Sequence, residues 1–181
     1  MDKTRHRPAI KLYRAADAVD NGTTGFRGDG WASDETSKHL NALYEAGHND
    51  GVQSSLLFRQ TADEGGFSAV IVWGKPNYPL ARHSHRSDCM YFVITGSATL
   101  GNVTLKPGDS FYAPTGANYS WTAGPEGVEI LEVRRNVDLI GTDMAEMSDA
   151  TFERFLGTVE ANHDLWTEMD ESPTFAANQK P

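Results

Sequence analysis

Two histidines separated by one serine, His83 and His85, are the residues of this sequence with the clearest chemical potential. Side chains two positions apart in a β-strand point to the same face, so both imidazoles would project in one direction. Two converging imidazoles form half of a transition-metal site, and either ring can also move a proton near neutral pH. The pair therefore predicts a functional site. The alternative is that both are half-exposed strand residues without a role.

A series of short β-rich segments contains this pair. Each segment is followed by a turn signal, such as Lys106–Pro107–Gly108–Asp109 or Gly124–Pro125–Glu126–Gly127. About eight strands at this spacing are typical of an antiparallel sandwich or barrel, and the lack of an internal repeat favours a single barrel. The predicted strands cover residues 52–60, 67–73, 79–85, 89–95, 98–105, 109–114, 117–123 and 128–135.

Helices are predicted on both sides of the strands. Residues 34–46 have an N-cap in Ser33 and a stop signal in Gly47. Residues 148–169 begin at another capping serine, Ser148, and carry an apolar stripe on one helical face. The stripe consists of Phe152, Phe155, Leu156, Val159 and Trp166.

The ends of the chain are polar. Residues 1–32 predict loops and one edge strand, and residues 170–181 predict a frayed end. We therefore expect an N-terminal extension with one helix at 1–50, a β-domain at 51–136, and a C-terminal helix with a flexible tail at 137–181. The glycine-rich breakers of the first segment are Asn21, Gly22, Gly25, Gly28 and Gly30.

Composition narrows the classes of function. Of 181 residues, 16 are Lys or Arg and 25 are Asp or Glu, which gives a net charge of −9. Such a surface repels nucleic acid and anionic membranes, and no apolar run approaches the roughly 20 residues of a membrane helix. No signal-peptide core follows the N-terminal charges, and the single cysteine, Cys89, excludes an internal disulfide framework. We expect a cytoplasmic protein that binds neither nucleic acid nor membrane.

The segment from His83 to Tyr119 resembles the two sequence motifs of the cupin family. The first motif is represented by HSHRSDCMYFVITG, residues 83–96, with its two histidines and its closing glycine, Gly96. The second motif is represented by GDSFYAPTGANY, residues 108–119, with Gly108, Pro114 and Gly116. The resemblance implies an all-β fold, a cupin jelly-roll β-barrel, here with an N-terminal helical extension and a C-terminal helix. It also implies a homodimer.

The sequence departs from the family's metal-binding pattern at two positions. Cys89, with Asp88 beside it, stands where the family has a glutamate or glutamine ligand, and Tyr119 stands where it has a third histidine. Cys89 has two interpretations: a small buried filler, or an inward thiol whose pKa falls beside the imidazoles. For Asp88 a role in turn hydrogen bonding is favoured over ligation.

Three functions follow from the resemblance and these departures. In the favoured one, a divalent metal binds His83 and His85 with one or two of Cys89, Asp88 and Tyr119, and the enzyme is a dioxygenase acting on a small organic molecule. Fe(II) suits two histidines with a carboxylate, a thiolate favours zinc, and manganese or nickel are further options. In the second, a metal-independent or zinc-assisted isomerase, cyclase or lyase uses a histidine as base and Tyr119 as acid. In the third, the barrel binds a small molecule without catalysis.

Aromatic and basic residues near the motif are candidates for substrate binding. Arg82, and also Arg59, would anchor a carboxylate if they lay in a pocket, although a solvated surface position is favoured for both. The other histidines, His6, His39, His48 and His163, are expected at the surface. The predicted pocket wall, for which ordinary packing is the alternative, consists of Tyr91, Trp121, Phe111 and Trp73.

Overall fold

A computed structural model of the protein describes residues 10–20, 31–61, 63, 65–135 and 142–178. The predicted loops around Asn21–Gly22, Gly25, Gly28 and Gly30 lie outside these residues, as does His6. Within these residues the α-helices are α1 (Asp34–Glu45), α2 (Asp149–Thr167) and α3 (Pro173–Asn178). The described residues also form nine β-strands: β1 (Val19–Asp20), β2 (Val52–Arg59), β3 (Phe67–Gly74), β4 (His83–His85), β5 (Cys89–Leu100), β6 (Val103–Leu105), β7 (Ser110–Ala113), β8 (Thr122–Arg135) and β9 (Thr142–Met144).

Antiparallel pairing joins the strands into two sheets. The larger sheet has the order β1–β2–β3–β8–β5–β6, with β7 also paired to β5, and the smaller sheet consists of β4 and β9. The prediction of a mainly antiparallel β-domain with a helix on each side is therefore confirmed. The prediction of a closed barrel is wrong, because the hydrogen-bonded strands of the described residues leave two separate sheets.

The opening lies where strands had been predicted at 79–85 and 117–123. Isolated bridges join Pro79 to Thr122 and His83 to Tyr119, and their registers differ by one residue. This slip interrupts the ladder, so β4 is short and the segment around Tyr119 remains outside any strand. β4 consequently meets the segment around Tyr119 through a single bridge at His83, and the two sheets remain separate.

The sequence predicts a break between strands at 89–95 and 98–105, but Gly96 does not form a turn there. β5 continues through it with a register shift, and Gly96 has a φ of 69°. A Cβ at this position would collide with the backbone carbonyl of Gly127 on β8. Glycine thus allows one long twisted strand where two short strands had been expected.

The helices begin where their capping residues predict. Ser33 Oγ accepts a hydrogen bond from the Thr36 amide at 3.3 Å, and Ser148 Oγ accepts one from the Thr151 amide at the same distance. The α2 stripe is buried at Phe155, Val159 and Trp166. No helix of the described residues is long and apolar enough to cross a membrane.

The predicted frayed end contains α3 instead. Its first turn meets Glu129, a fully buried residue of β8, whose carboxylate accepts hydrogen bonds from the Thr174 amide at 2.9 Å and the Thr174 hydroxyl at 2.6 Å. Pro173 at the first helical position loses no hydrogen bond there, which favours the helix start. A tertiary contact that the local sequence does not reveal therefore orders this segment.

His48 is buried rather than exposed as expected. It lies in a short 3-10 turn, His48–Gly51, whose last residue has no room for a Cβ against Tyr78 and Trp166. The His48 Nε2–H donates to the Pro79 carbonyl at 3.0 Å, and burial lowers the pKa of His48 from 6.5 to about 4. The folded protein therefore holds this imidazole neutral.

The pH dependence of stability should report this burial. Because the unfolded chain binds a proton at His48 below about pH 6.5 and the folded chain does so only near pH 4, stability falls as the pH drops through this window. Between about pH 8 and about pH 5, the unfolding free energy of the wild type should fall by about 2 kcal/mol more than that of His48→Gln. Urea denaturation at both pH values measures this difference. Phe155→Leu is the control, because it removes packing near His48 without a titrating group. An unchanged pH dependence in His48→Gln would contradict the assignment.

Candidate functional site

A cavity of about 570 Å³ lies between the two sheets. This volume suits a small organic molecule. One end of the cavity carries four polar groups, His83, His85, Tyr119 and Glu132, together with Tyr91. Much of the remaining wall is aromatic or aliphatic and includes Trp31, Tyr44, Tyr78, Leu80, Trp121 and Ile130.

The structure brings His83 and His85 together as their spacing predicts. Both are buried on β4, and their ring centroids lie 4.9 Å apart. β9 pairs with β4 and places Thr142 opposite His85. The backbone bridge between His83 and Tyr119, with N···O distances of 3.1 and 2.9 Å, then sets the tyrosine beside both rings.

The Tyr119 hydroxyl is the centre of the site. It lies 3.0 Å from His83 Nε2, 3.2 Å from His85 Nε2 and 2.7 Å from the Tyr91 hydroxyl. A phenol has one hydrogen to donate and two lone pairs to accept with. Three neighbours therefore account for its whole hydrogen-bonding capacity.

The direction of each hydrogen bond follows from the outer partners of the two rings. His83 Nδ1 lies 2.8 Å from the Ala81 carbonyl, so Nδ1 carries the proton and Nε2 accepts from Tyr119. His85 Nδ1 lies 3.3 Å from Arg134 Nη1, and a guanidinium only donates. His85 Nδ1 is thus an acceptor, and its Nε2–H donates to the Tyr119 oxygen, as does the Tyr91 hydroxyl.

Burial keeps these groups neutral. The pKa of His83 falls to about 4, mainly because burial disfavours the imidazolium and secondly because His85 is adjacent. Burial also raises the pKa values of Tyr119 and Tyr91 well above their ordinary range, with the Glu132 carboxylate as the next cause. At neutral pH the centre consists of a neutral base, His83, hydrogen-bonded to a protonated acid, Tyr119.

Two buried charged residues, Glu132 and Arg134, were not among the predicted site residues. They share a face of β8 with Val128 and Ile130, and Arg134 Nη1 lies 3.2 Å from Glu132 Oε1. Glu132 Oε1 also lies 3.9 Å from His85 Nε2. The sequence signal was the alternation in VEILEVRR, residues 128–135, which continues the buried apolar face into two charged residues.

Tyr91 and Trp121 line the cavity, whereas other predicted wall residues do not. Phe111 stacks on Tyr91, its cross-strand partner, with ring centroids 4.4 Å apart, and so lies behind the cavity wall. Trp73 is a correction: it is buried on the face of β3 opposite to Val72, a cavity residue. Arg82 is a further correction, because it precedes His83 and therefore points to solvent.

Three other candidates also lie away from the cavity lining. Arg59 is exposed at the end of β2. Asp88 is exposed and accepts hydrogen bonds from the amide and hydroxyl of Thr115, as expected for a turn residue. The buried Cys89 thiol donates to the Ser87 carbonyl, and burial followed by the Glu132 charge raises its pKa to about 11. Of the two interpretations of Cys89, the structure agrees with the small buried filler and not with the thiol of lowered pKa.

The predicted metal ligands do not fit a divalent ion as they are arranged. A metal between His83 and His85 needs a lone pair on both Nε2 atoms, but His85 Nε2 carries its proton and the Tyr119 hydroxyl lies between the rings. A different set, His85, Cys89 and Glu132, has ligand atoms within 4.8 Å of one another and all three residues buried. This set would require a thiolate from Cys89, whose pKa is raised.

Comparison with known proteins identifies the family. Residues 34–137, more than half of the chain, match the ChrR cupin-like domain family. The chain therefore belongs to the cupins, and the resemblance of its two motifs is confirmed. No curated protein matches the sequence.

One solved structure supports the same fold, and two others show a weaker similarity. The structure of the polyketide cyclase RemF from Streptomyces resistomycificus is similar over 80% of this chain and 92% of that chain, at 15% identity and a TM-score of 0.52. KdgF from Halomonas sp. matches over 48% of this chain and 80% of that chain, at 23% identity and a TM-score of 0.41. A cupin-like protein from Thermotoga maritima matches over 57% and 83%, at 17% identity and a TM-score of 0.47.

Removing the Tyr119 hydroxyl tests the hydrogen-bond network. In Tyr119→Phe, the buried His83 Nε2, His85 Nε2–H and Tyr91 hydroxyl all lose a partner, so the unfolding free energy should fall by about 1–3 kcal/mol. Urea denaturation at neutral pH measures the change. Tyr112→Phe, at an exposed tyrosine of β7, is the matched control. Equal stability of both variants would rule out a tightly bonded centre.

Proposed function

We propose that this cupin is an enzyme that moves protons on a small organic molecule bound in the cavity, without a resident metal ion. Isomerisation, cyclisation and elimination are reactions of this kind. The observation that carries the proposal is the Tyr119 hydroxyl, bonded to a neutral imidazole acceptor and to two further donors at one end of the cavity.

His83 and Tyr119 supply the base and the acid. The neutral His83 Nε2 takes a proton from an acidic carbon of the substrate, while the Tyr119 hydroxyl gives its proton to a substrate oxygen or leaving group. The phenolate that forms is stabilised by the hydrogen bonds already donated by His85 Nε2–H and the Tyr91 hydroxyl. The acid therefore has its conjugate base stabilised before the reaction begins.

The resting state returns through a bond that is already present. After the transfer, His83 is an imidazolium and Tyr119 is a phenolate, and their reacting atoms lie 3.0 Å apart. One proton passes from His83 Nε2 to the Tyr119 oxygen, which restores both groups. No further proton donor or acceptor is needed to complete the cycle.

The cavity favours an uncharged ligand with apolar surface. Its wall is largely aromatic and aliphatic, and the buried carboxylate in this wall, Glu132, is already paired with Arg134 behind it. The arginine proposed as a carboxylate anchor, Arg82, faces solvent. A neutral carbonyl compound with an acidic carbon meets these conditions.

The metal-dependent dioxygenase expected from the family resemblance has less support. Its chemistry requires an ion at His83 and His85, and the hydrogen-bond directions at these rings oppose such a site. Binding without catalysis is the remaining alternative. The three functions give different results in one experiment.

Deuterium exchange tests the proposal directly. Chelator-treated protein, equilibrated in D₂O, is incubated with a panel of enolisable aromatic ketones and hydroxyketones, and deuterium at carbon is measured by mass spectrometry. Wild-type protein should promote incorporation, and Tyr119→Phe should lower the rate by about 100-fold or more. The control Tyr112→Phe should match the wild type.

Other outcomes would overturn the proposal. Binding of panel compounds without any exchange would indicate a non-catalytic protein. Turnover that appears only after Fe(II) is added, with consumption of O₂, would indicate a dioxygenase. Exchange that is unaffected by Tyr119→Phe would remove Tyr119 from the chemistry.

A further inference from the structure

Arg134 lies beside every member of the second candidate ligand set. It is the cross-strand partner of Cys89 in the β5–β8 ladder. Its Nη1 atom lies 3.2 Å from Glu132 Oε1 and 3.3 Å from His85 Nδ1. The guanidinium is almost fully buried, with 1% of its side chain exposed. A fixed positive charge therefore stands next to an imidazole, a thiol and a carboxylate.

We propose that Arg134 holds His85 as a hydrogen-bond donor to Tyr119 and, by the same contacts, keeps divalent metal ions out of a latent site formed by His85, Cys89 and Glu132. Arg134 is a positioning residue, since it acts on Tyr119 through His85. The effect of Arg134 on catalysis rests on the proposed function. Its effects on the tautomer of His85 and on metal binding can be tested without any substrate.

The first claim concerns the tautomer of His85. A guanidinium has hydrogens and no lone pair, so the ring nitrogen facing it must accept. The Thr142 hydroxyl, also 3.3 Å from His85 Nδ1, can donate as well. With Nδ1 accepting, the proton lies on Nε2 and points at the Tyr119 oxygen. Metal-bound histidines have the opposite polarity, because their second nitrogen usually donates to a carbonyl or carboxylate.

The second claim concerns charge. Glu132 and Arg134 neutralise each other at present, within a buried region. A divalent ion among His85, Cys89 and Glu132 would stand a few ångströms from the guanidinium, where water screens little of the repulsion. The donor atoms are close enough for a metal, with all of them within 4.8 Å of one another. The adjacent cation, rather than the spacing of the ligands, is the obstacle.

Replacing Arg134 should therefore uncover a metal site. Chelator-treated wild type and Arg134→Met are titrated with Zn²⁺, and with Co²⁺ to detect the thiolate-to-cobalt charge-transfer band. Arg134→Met should bind Zn²⁺ at least about 100-fold more tightly than the wild type, and the double variant Arg134→Met/Cys89→Ser should lose the cobalt band. Arg135→Met, which removes the exposed neighbouring arginine of the same strand, should behave as the wild type.

The tautomer of His85 is measured in the wild-type protein itself. Protein labelled with ¹⁵N-histidine is studied by long-range ¹H–¹⁵N correlation at neutral pH, with His85→Gln used for assignment. The expected spectrum shows His85 protonated at Nε2 and His83 protonated at Nδ1. Arg134→Lys, which keeps a charge but loses the planar fork, should keep Zn²⁺ out while the two tautomers of His85 become mixed.

Distinct results would overturn this inference or the proposed function. Stoichiometric Zn²⁺ binding by the wild type that is lost in His85→Gln, or His85 protonated at Nδ1, would refute the role of Arg134. Failure of deuterium exchange together with the expected tautomers would refute the proposed function and leave the role of Arg134 intact. Deuterium exchange by a wild type whose His85 is protonated at Nδ1 would refute the role of Arg134 and leave the proposed function intact.

Discussion

The hydrogen-bond requirement of one buried phenol determines the arrangement of this site. Tyr119 has one hydrogen and two lone pairs, and its three partners come from β4 and β5. Two of these partners, His83 and His85, are held from behind by Ala81 and Arg134. Because the Ala81 carbonyl only accepts and the guanidinium only donates, one assignment of protons satisfies the Tyr119 hydroxyl and both imidazole rings. The direction of the hydrogen bonds at Tyr119 is therefore set by Arg134, which lies outside the cavity lining, as well as by the Ala81 carbonyl.

The backbone bridge between His83 and Tyr119 is also the place where the two sheets fail to join into a barrel. A continuous ladder between 79–85 and 117–123 would require one register throughout, yet the bridges at Pro79 and His83 differ by a residue. The slip brings Tyr119 to His83 while Trp121 still pairs with Leu80, whose amide donates to its carbonyl at 2.8 Å. An aromatic wall and a polar end consequently meet in one cavity. A regular barrel would place these side chains at a fixed alternation along both strands.

Sequence patterns predicted those features that depend on local periodicity. The alternation in a strand was enough to bring His83 and His85 together, and capping serines were enough to start α1 and α2. The family motif placed Tyr119 beside the histidines, because the motif encodes a tertiary contact that periodicity cannot. Its barrel was expected to close, however, and the register slip at Pro79 and His83 has no local sequence signal.

The failures concern residues whose surroundings come from distant parts of the chain. His48 is buried by Tyr78 and by Phe155 of α2, which are far away in sequence. Trp73 lies in a strand that is buried on both faces, so its aromatic character could not indicate which face met the cavity. Glu132 and Arg134 lie at the charged end of a predicted strand, and their burial follows only once Val128 and Ile130 are known to face inward. Buried charges are rare enough that composition gives no reason to expect them.

The replacement of expected ligands by Cys89 and Tyr119 has a common electrostatic result. A metal centre concentrates positive charge at one point and requires ligands that have lost their protons. Here the carboxylate, Glu132, is matched by an arginine, the Cys89 thiol is kept protonated, and the phenol retains its hydrogen. These three groups are thus neutral or paired before a ligand enters. The hydrogen bonds donated to Tyr119 are already oriented, and the charges of Glu132 and Arg134 already compensate each other. Such a site stabilises charge that develops during a reaction better than it stabilises a ligand that is charged from the start. This is the electrostatic condition under which a neutral substrate and a transient phenolate can share one buried cavity.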